Sequence, residues 1–316
     1  DNKEFHSVAC SGAEIKDILD ISKGYKGQTT DNTPKEKRNS LDILTNYKPG
    51  YLAQVEFINS AKPSYLTISV GGNNVGFTQK LTACVSSDYR LPLADTCKYA
   101  DNLSVKAGVA KEIADQYDIL NASYTLLKEK THDETKIYVT GYPQFIKPID
   151  GNCGNNVHLN DKEREFVYES VKYMNQVIKS ASTDAGVYYL DIEDSLEGRN
   201  LCSGATDSSM AVNGLTEGDD KFSFRYVARN EAGKLYVNNT PGLGKEAFHP
   251  NQNAQPLIRD RILQLTNNDP ANFVTCLAEP EKAVCPVKKG KIPEPKSLYF
   301  GADATAYIKS KNAEST

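Results

Sequence analysis

The segment Ser64-Tyr-Leu-Thr-Ile-Ser-Val-Gly-Gly-Asn-Asn74 (SYLTISVGGNN) decides the fold of this chain. Residues 64–70 are rich in β-branched and aromatic side chains and predict a β-strand. The pair Gly71-Gly72 lets the backbone turn tightly where that strand ends. Asn73 follows with a carboxamide, either to bind a ligand or simply to cap the next segment. The segment thus predicts one strand of a sheet with a polar loop at its carboxyl end.

Strand-like and helical stretches alternate on both sides of this segment. Strands are predicted at 5–9, 136–140 and 187–192, and helices at 13–19, 51–60, 105–130, 161–182 and 254–265. This alternation predicts an α/β fold: a three-layer, doubly wound parallel sheet covered by helices on both faces. Such sheets bind ligands at the carboxyl ends of their strands. The remaining long stretches are interpreted as irregular, namely 22–48, 75–104 and 196–248.

The helix at 161–182 carries the clearest signals of its own. Asn160 precedes it and Glu163 follows three residues later, which is the pattern of a capping box. The periodic pattern of the whole chain fades near Asn267. We therefore expect one domain over residues 1–268, and a disulfide-bearing extension with a linker or tail over residues 269–316.

Charge and hydropathy exclude two classes of protein. The formal net charge is −4 and the sequence pI is about 5.7, whereas a nucleic-acid-binding domain is typically basic. No apolar stretch approaches the roughly 18–20 residues that a transmembrane helix needs. We therefore expect no nucleic-acid partner and no transmembrane segment.

The chain contains 7 cysteines, none with the CxxC spacing of a zinc or thioredoxin-like site. Loop cysteines that fall into local groups predict disulfides and an oxidising, secreted or extracellular location. The predicted disulfide cysteines are Cys84, Cys97, Cys153, Cys202, Cys276 and Cys285. Cys10 has no evident partner. It is either a buried free thiol or pairs with a cysteine upstream of residue 1.

Three residues in loops could carry chemistry. Asn73 could donate its amide to the oxyanion of an acyl-transfer intermediate. Gly12 could present its backbone N–H to the same atom, or could simply start a helix. His249 lies at a loop–helix junction next to Pro250, a position suited to a general base.

Five blocks in fixed order resemble the SGNH hydrolase superfamily of GDSL-type esterases and lipases. The blocks are VACSGA at 8–13, GGNNVGF at 71–77, TGYPQF at 140–145, LCSG at 201–204 and FHPNQNAQ at 248–255. The likeness is to the secreted branch that carries an ACSGA motif, and it covers roughly residues 5–266. It implies a flavodoxin-like α/β fold and hydrolysis of a carboxylic ester of a small molecule, lipid or carbohydrate.

The resemblance also implies roles for individual residues. Gly12 and Asn73 would be the oxyanion-hole donors and His249 the base. Glu246 would orient His249 through its carboxylate or its backbone carbonyl. Two positions depart from the family pattern: Asn74 replaces an aspartate and Ala254 replaces a glycine. Neither change removes an atom on which the implied mechanism depends.

The nucleophilic serine of the family lies in a GDSxxxG block well before ACSGA, and no such block fits here. Ser195 lies in the similar sequence DSLEG, but it follows the wrong strand, and Ser11 lies inside the ACSGA block. We therefore expect that the chain lacks the segment with this serine and that residues 1–316 alone are inactive. The resemblance also implies that Cys10 pairs with a cysteine in the missing segment.

Two other functions are considered. A catalytically inactive relative that binds carbohydrate or lipid would keep the fold without the serine. A metal-dependent hydrolase would need clustered ligands, but the chain has no HxH or HExxH motif around its 4 histidines. We therefore expect no metal and no cofactor.

Overall fold

Of the 316 residues, the computed structural model describes 7–9, 12–19, 53–57, 63–88, 97–148, 153, 157, 159–206, 208–214, 224–229, 235–240, 247–267 and 291–314. Four of the five sequence blocks lie wholly within these ranges. In the block 8–13, Cys10 and Ser11 lie outside them. Glu246, Cys276 and Cys285 also lie outside the described residues.

Three parallel strands form the central sheet. They are β1 (Tyr65–Ile68), β2 (Lys136–Thr140) and β3 (Tyr188–Leu190), in the order β1-β2-β3. Tyr65 of β1 is in register with Lys136 of β2, and Tyr138 of β2 with Tyr188 of β3. All three strands were predicted from sequence, and their parallel pairing confirms the predicted α/β class.

The described residues form eight helices. They are α1 (Ile15–Leu19), α2 (Phe77–Asp88), α3 (Lys98–Asp101), α4 (Leu103–Ala114), α5 (Gln116–Lys130), α6 (Asp161–Asp184), α7 (Ala254–Asn267) and α8 (Ala302–Glu314). Short 3₁₀ turns occur at Gln54–Phe57 and Leu298–Phe300, and the strands β4 (Phe224–Arg229) and β5 (Leu235–Thr240) form an antiparallel hairpin.

The two faces of the sheet bury different side chains. Ile137 and Val139 of β2 belong to the main core, together with apolar residues of α4, α5 and α6. Tyr138 and Leu190 face the other way and pack with Ile258 and its neighbours on α7. Successive residues of a strand point to opposite faces, so the sheet is covered on both sides. This is the predicted three-layer arrangement.

Helix α6 forms as its sequence predicts, because Asn160 and Glu163 complete a reciprocal capping box. The Asn160 side chain accepts from the backbone N–H groups of Lys162 and Glu163, and the Glu163 carboxylate accepts from the Asn160 N–H. The apolar residues assigned to its inner face are all buried: Phe166, Val167, Val171, Met174 and Ile178.

The interpretation of residues 75–104 as irregular is wrong for the described residues 77–88, 98–101 and 103–104, which are helical. Helix α2 begins at Phe77, directly after the glycine-rich loop, and buries Leu81, Cys84 and Val85. Serine and cysteine residues interrupt the apolar periodicity of this segment, so the sequence did not indicate a helix. A disulfide between Cys84 and Cys97 joins the helix to α3 and supplies stabilisation that local propensity does not show.

The predicted single helix at 105–130 is two helices that meet at Asp115. Asp115 keeps helical dihedral angles, φ −65° and ψ −15°, so the four-residue period continues through the junction. Its N–H donates to both Lys111 and Ile113, which tightens the turn. Its carboxylate accepts from Tyr307 and Lys311 of α8.

Several other predictions differ from the structure. Of the predicted strand 5–9, residues 7–9 are described and are not in a strand, and Gln54–Phe57 of the predicted helix 51–60 form only a 3₁₀ turn. The hairpin β4–β5 lies in a stretch that was interpreted as irregular. Helix α8 packs its buried Ala304 and Ile308 into the main core, although the sequence indicated a linker or a peripheral extension.

Candidate active site

The loop of residues 71–76, here called the GGNN loop, turns sharply after β1. Gly71 has φ +119°, a backbone conformation that favours glycine, and a Cβ on it would also crowd Cε of Met174. The N–H of Asn74 donates to the Gly71 carbonyl, and the N–H of Gly76 donates to the Asn73 carbonyl. These turns leave the Asn73 side chain exposed at the carboxyl end of the strand.

Two asparagines join the GGNN loop to the first block. Nδ2 of Asn73 donates to the carbonyl of Ala13 at 2.9 Å, and Oδ1 of Asn74 accepts from the N–H of Ile15 at 3.0 Å. Gly12 is exposed, with φ +76° and open space where a Cβ would lie. Gly12 and Asn73, which the sequence paired as oxyanion-hole donors, therefore lie on directly bonded segments. The carboxamide of Asn73 keeps a second N–H for another acceptor.

Tyr142, from the TGYPQF block, holds the GGNN loop through a hydrogen bond with the loop backbone. Its hydroxyl accepts a hydrogen bond from the N–H of Gly72 at 3.0 Å. The backbone of Tyr142 is itself clamped by Asn175 of α6, whose Oδ1 accepts from the Tyr142 N–H at 2.7 Å and whose Nδ2 donates to its carbonyl at 2.9 Å. Asn175 also donates to Glu193 at 3.0 Å.

Three phenylalanine rings link three blocks. The rings of Phe77 and Phe145 meet edge to face with centroids 6.0 Å apart, and those of Phe145 and Phe248 with centroids 6.2 Å apart. The LCSG block joins the same group, because the N–H of Leu201 donates to the carbonyl of Phe145. Pairwise contacts therefore link the five blocks, which are separate in the sequence, into one connected group.

His249 is exposed and its ring is held by the backbone. Its Nδ1 lies 3.0 Å from the carbonyl oxygen of Ala247. A carbonyl can only accept, so this hydrogen bond places the imidazole proton on Nδ1 and leaves Nε2 as the acceptor. An acceptor at Nε2 is what a general base needs.

The turn that carries His249 is anchored on the segment 211–213. The N–H of Phe248 donates to the carbonyl of Asn213, and the N–H of Asn213 donates to the carbonyl of His249. Phe248 adopts φ +61°, which is uncommon for a residue with a side chain and is kept here by its buried ring. Asn251 strengthens the turn by donating from its side chain to Met210.

Comparison with known proteins decides which family this arrangement belongs to. The sequence model of the GDSL-like lipase/acylhydrolase family matches residues 6–262. The chain belongs to the GDSL-like lipase/acylhydrolase family. This confirms the resemblance stated from the five blocks.

Two relatives of this GDSL-like chain are lipases from Streptomyces. A lipase of Streptomyces rimosus is 27% identical over 44% of the chain and 47% of that protein, and Lipase 1 of Streptomyces coelicolor is 25% identical over 46% and 49%. The chain thus matches about half the length of these relatives.

Two solved structures are also similar to parts of the chain. The extracellular lipase of Streptomyces rimosus is 21% identical with a TM-score of 0.47, over 71% of the chain and 76% of that structure. Phospholipase A1 of Streptomyces albidoflavus NA297 is 20% identical with a TM-score of 0.44, over 80% and 78%.

Two disulfides are present in the described part of the GDSL-like chain, Cys84–Cys97 and Cys153–Cys202. They account for four of the six cysteines predicted to form disulfides, whereas Cys276 and Cys285 lie outside the described residues. The expected pairing of Cys10 with an upstream cysteine finds no support, because both disulfides join other cysteines and Cys10 is itself outside those residues.

The predicted orienting role of Glu246 also concerns a residue outside the described ranges. Within them, the ring of His249 is held by the carbonyl of Ala247, an atom that the sequence did not indicate. Asn175 and Tyr142 were missed as well. A polar asparagine beside Met174 on the buried side of α6 was a signal that could have singled out Asn175.

The hydroxyl of Ser195 makes no hydrogen bond to a base in the described part of the chain. Its Oγ is buried and has no hydrogen-bond partner there. The described residues contain one group with metal-ligand spacing, Cys84, Cys97 and Glu163, but its two sulfurs are joined in a disulfide and Glu163 caps α6. None of the described helices combines the length and the hydropathy needed to cross a membrane.

Proposed function

We propose that the protein is a carboxylic ester hydrolase in which His249 is the general base and Gly12 and Asn73 form the oxyanion hole. The proposal rests on one observation above all: pairwise contacts link the five blocks into one connected group, and the Asn73 amide donates directly to the segment of Gly12. Family membership independently supports ester chemistry.

In this mechanism a serine hydroxyl attacks the ester carbonyl. Nε2 of His249 takes the serine proton as the bond forms, and then gives it to the alcohol that leaves when the carbon–oxygen bond of the ester breaks. The backbone N–H of Gly12 and the free N–H of Asn73 stabilise the oxyanion of the tetrahedral intermediate. Glu246 is proposed to help Ala247 orient the ring. We place the serine outside the described residues.

Substrate and location are proposed in general terms. Small-molecule, lipid or carbohydrate esters fit the family equally well, and the relatives include proteins named lipase and phospholipase A1. The two disulfides support an oxidising compartment, so we propose that the protein is secreted.

The test is a kinetic comparison of Asn73→Ala with Asn121→Ala, using the full natural protein and a p-nitrophenyl ester of a short fatty acid. Both asparagines donate one hydrogen bond from Nδ2 to a backbone carbonyl, so both variants lose an equivalent structural contact. Loss of one oxyanion donor should lower the kcat of Asn73→Ala by about 10²–10³-fold with little change in KM. Asn121→Ala should retain wild-type kcat.

A fluorophosphonate probe identifies the nucleophile in the same preparation. Mass spectrometry should find the probe on a serine other than Ser195, and His249→Ala should abolish the labelling. Labelling of Ser195 would show that the assignment of the site is wrong. A folded protein that turns over no ester and takes up no probe would instead be a non-catalytic binding relative.

A further inference from the structure

Lys80 occupies a position that two general preferences of proteins disfavour. It is the fourth residue of α2, in the first turn of the helix, where the helix dipole disfavours a cation. It is also only 9% exposed, whereas lysine is seldom buried unless it is paired. Taking an ammonium group out of water costs free energy, which attraction to a partner must offset. The stability of α2 alone therefore does not explain a lysine here.

The ammonium group of Lys80 has partners in three different parts of the fold. Its Nζ donates to the carbonyl of Val75 at 2.5 Å and pairs with Oε2 of Glu112 on α4 at 2.7 Å. It also lies 5.8 Å from the centroid of the Tyr99 ring on α3. Glu112 and Tyr99 hold the ammonium group against two helices, whereas the Val75 carbonyl belongs to the GGNN loop. Lys80 thus joins this loop to α3 and α4.

The hydrogen bond from Lys80 reaches Asn73 through one peptide unit. The carbonyl of Val75 and the N–H of Gly76 belong to the same planar peptide group, so fixing one orients the other. The N–H of Gly76 donates to the carbonyl of Asn73 at 3.1 Å. A donor that fixes the Val75 carbonyl therefore also orients the group that holds the backbone of Asn73.

We propose that Lys80 is a positioning residue of the oxyanion hole, which holds the Asn73 amide in place by fixing the Val75 carbonyl. The GGNN loop is then held on both sides of Asn73, by Tyr142 at the Gly72 N–H and by Lys80 at the Val75 carbonyl. The inference rests on the proposed function, in which Asn73 donates to the oxyanion. Lys80 acts through Asn73 and takes no part in proton transfer.

The test is a kinetic comparison of Lys80→Met with Lys311→Met in the full natural protein, using the same p-nitrophenyl ester. Methionine has a similar length, suits a buried position and removes the charge. Lys80→Met should lower kcat about tenfold with little change in KM, because the amide of Asn73 is less well placed for the oxyanion. Lys311 pairs with Asp115 at 2.7 Å on a different helix, so Lys311→Met should keep wild-type kcat.

A double-mutant cycle separates positioning from a general structural role. Adding Lys80→Met to Asn73→Ala should change kcat by less than about twofold, because the group that Lys80 positions is already gone. A structural role would lower kcat by the same factor in both backgrounds. Equal factors in the two backgrounds therefore overturn the inference.

The remaining outcomes distinguish this inference from the proposed function. A wild-type protein that turns over no ester overturns both. Wild-type kcat in Lys80→Met beside an impaired Asn73→Ala overturns only the role of Lys80. Circular dichroism establishes that each variant is folded.

Glu112→Gln keeps the inference testable if Lys80→Met does not fold. The side chain of Glu112 is 55% exposed, so this change leaves the core intact and removes only the carboxylate that pairs with Lys80. Lys80 then holds the Val75 carbonyl less firmly, and kcat should fall about threefold. The fall should be absent when Asn73→Ala is already present. Wild-type kcat in Glu112→Gln would then overturn the inference.

Discussion

A single hydroxyl group, that of Tyr142, holds the GGNN loop at its second glycine. It accepts from the N–H of Gly72, a backbone group next to the proposed donor Asn73. Burial raises the pKa of the Tyr142 hydroxyl, and its hydrogen bonds with Gly72 and Ser69 offset only part of that rise. The group therefore stays protonated at neutral pH, and its position is set by the Asn175 clamp on the Tyr142 backbone.

Replacing Tyr142 by phenylalanine should leave the Gly72 N–H without its acceptor. We expect a loss of about 1–3 kcal/mol in the free energy of unfolding, measured by urea denaturation. If the proposed function is right, kcat should also fall while KM changes little, because the loop that carries Asn73 loosens. Tyr65→Phe is the control, since Tyr65 is 64% exposed. Equal stability of the two variants would refute this role of Tyr142.

Asp184 makes a pH-dependent contribution to stability. Burial raises the pKa of its carboxyl above the ordinary 3.8, and the hydrogen bond from the Tyr117 hydroxyl offsets part of the rise. The folded state therefore binds the proton more tightly than the unfolded state does. The resulting stabilisation is present below pH 3.8 and is lost as the pH rises through the folded-state pKa.

Asp184→Asn should flatten this pH dependence. Urea midpoints measured between about pH 4 and pH 7 should fall less with rising pH in the variant than in the wild-type protein. Asp133→Asn removes a carboxylate from an exposed turn and should leave the slope unchanged. An unchanged slope in Asp184→Asn would show that the folded-state pKa of this group is not raised.

Helix α6 supports the candidate site, because it carries Asn175, which bonds to the backbone of Tyr142. Its first turn depends on the capping box of Asn160 and Glu163. Asn160→Ala should destabilise the protein by about 0.5–2 kcal/mol, as measured by chemical denaturation. Asn160→Asp keeps an oxygen acceptor for the same N–H groups and should restore most of the loss. A variant Asn160→Ala as stable as the wild-type protein would contradict the role of the cap.

Elements with a clear local signal could be predicted from the sequence. Strand β2 was placed at its observed bounds, and α6 was placed by its period and its cap. Helix α2 and helix α8 were missed, because α2 is stabilised by a disulfide and α8 by contacts with Asp115, which is distant in sequence. Periodicity within a short window does not register such long-range contacts.

The candidate site could likewise be predicted only in part. Gly12 and Asn73 were paired from their sequence blocks, and the hydrogen bond from Asn73 to Ala13 places their segments together. The carbonyl of Ala247 is a backbone atom and carries no signature in the sequence. Asn175 had a signal in its polar character on a buried helix face, but its contact with Tyr142 joins residues 33 positions apart. Whether the Asn73 amide and the His249 ring act on one ester stays a prediction.

At the scale of the molecule, the two disulfides close loops of different length. Cys84–Cys97 spans 13 residues and Cys153–Cys202 spans 49. On the chain-entropy model, removal should cost about 3 kcal/mol for the shorter loop and about 4 kcal/mol for the longer one. The double variants Cys84→Ser/Cys97→Ser and Cys153→Ser/Cys202→Ser should show this order in guanidinium denaturation. The reverse order would mean that strain or local packing outweighs chain entropy.

The parallel order of the central sheet governs how this chain must fold. Tyr65 pairs with Lys136 and Tyr138 with Tyr188, so each pairing waits for a long intervening segment with its helices to be brought into place. Helices form within microseconds, whereas distant strands associate far more slowly. During that delay the apolar sides of the helices have no sheet to cover them, and they are open to association with other unfolded chains.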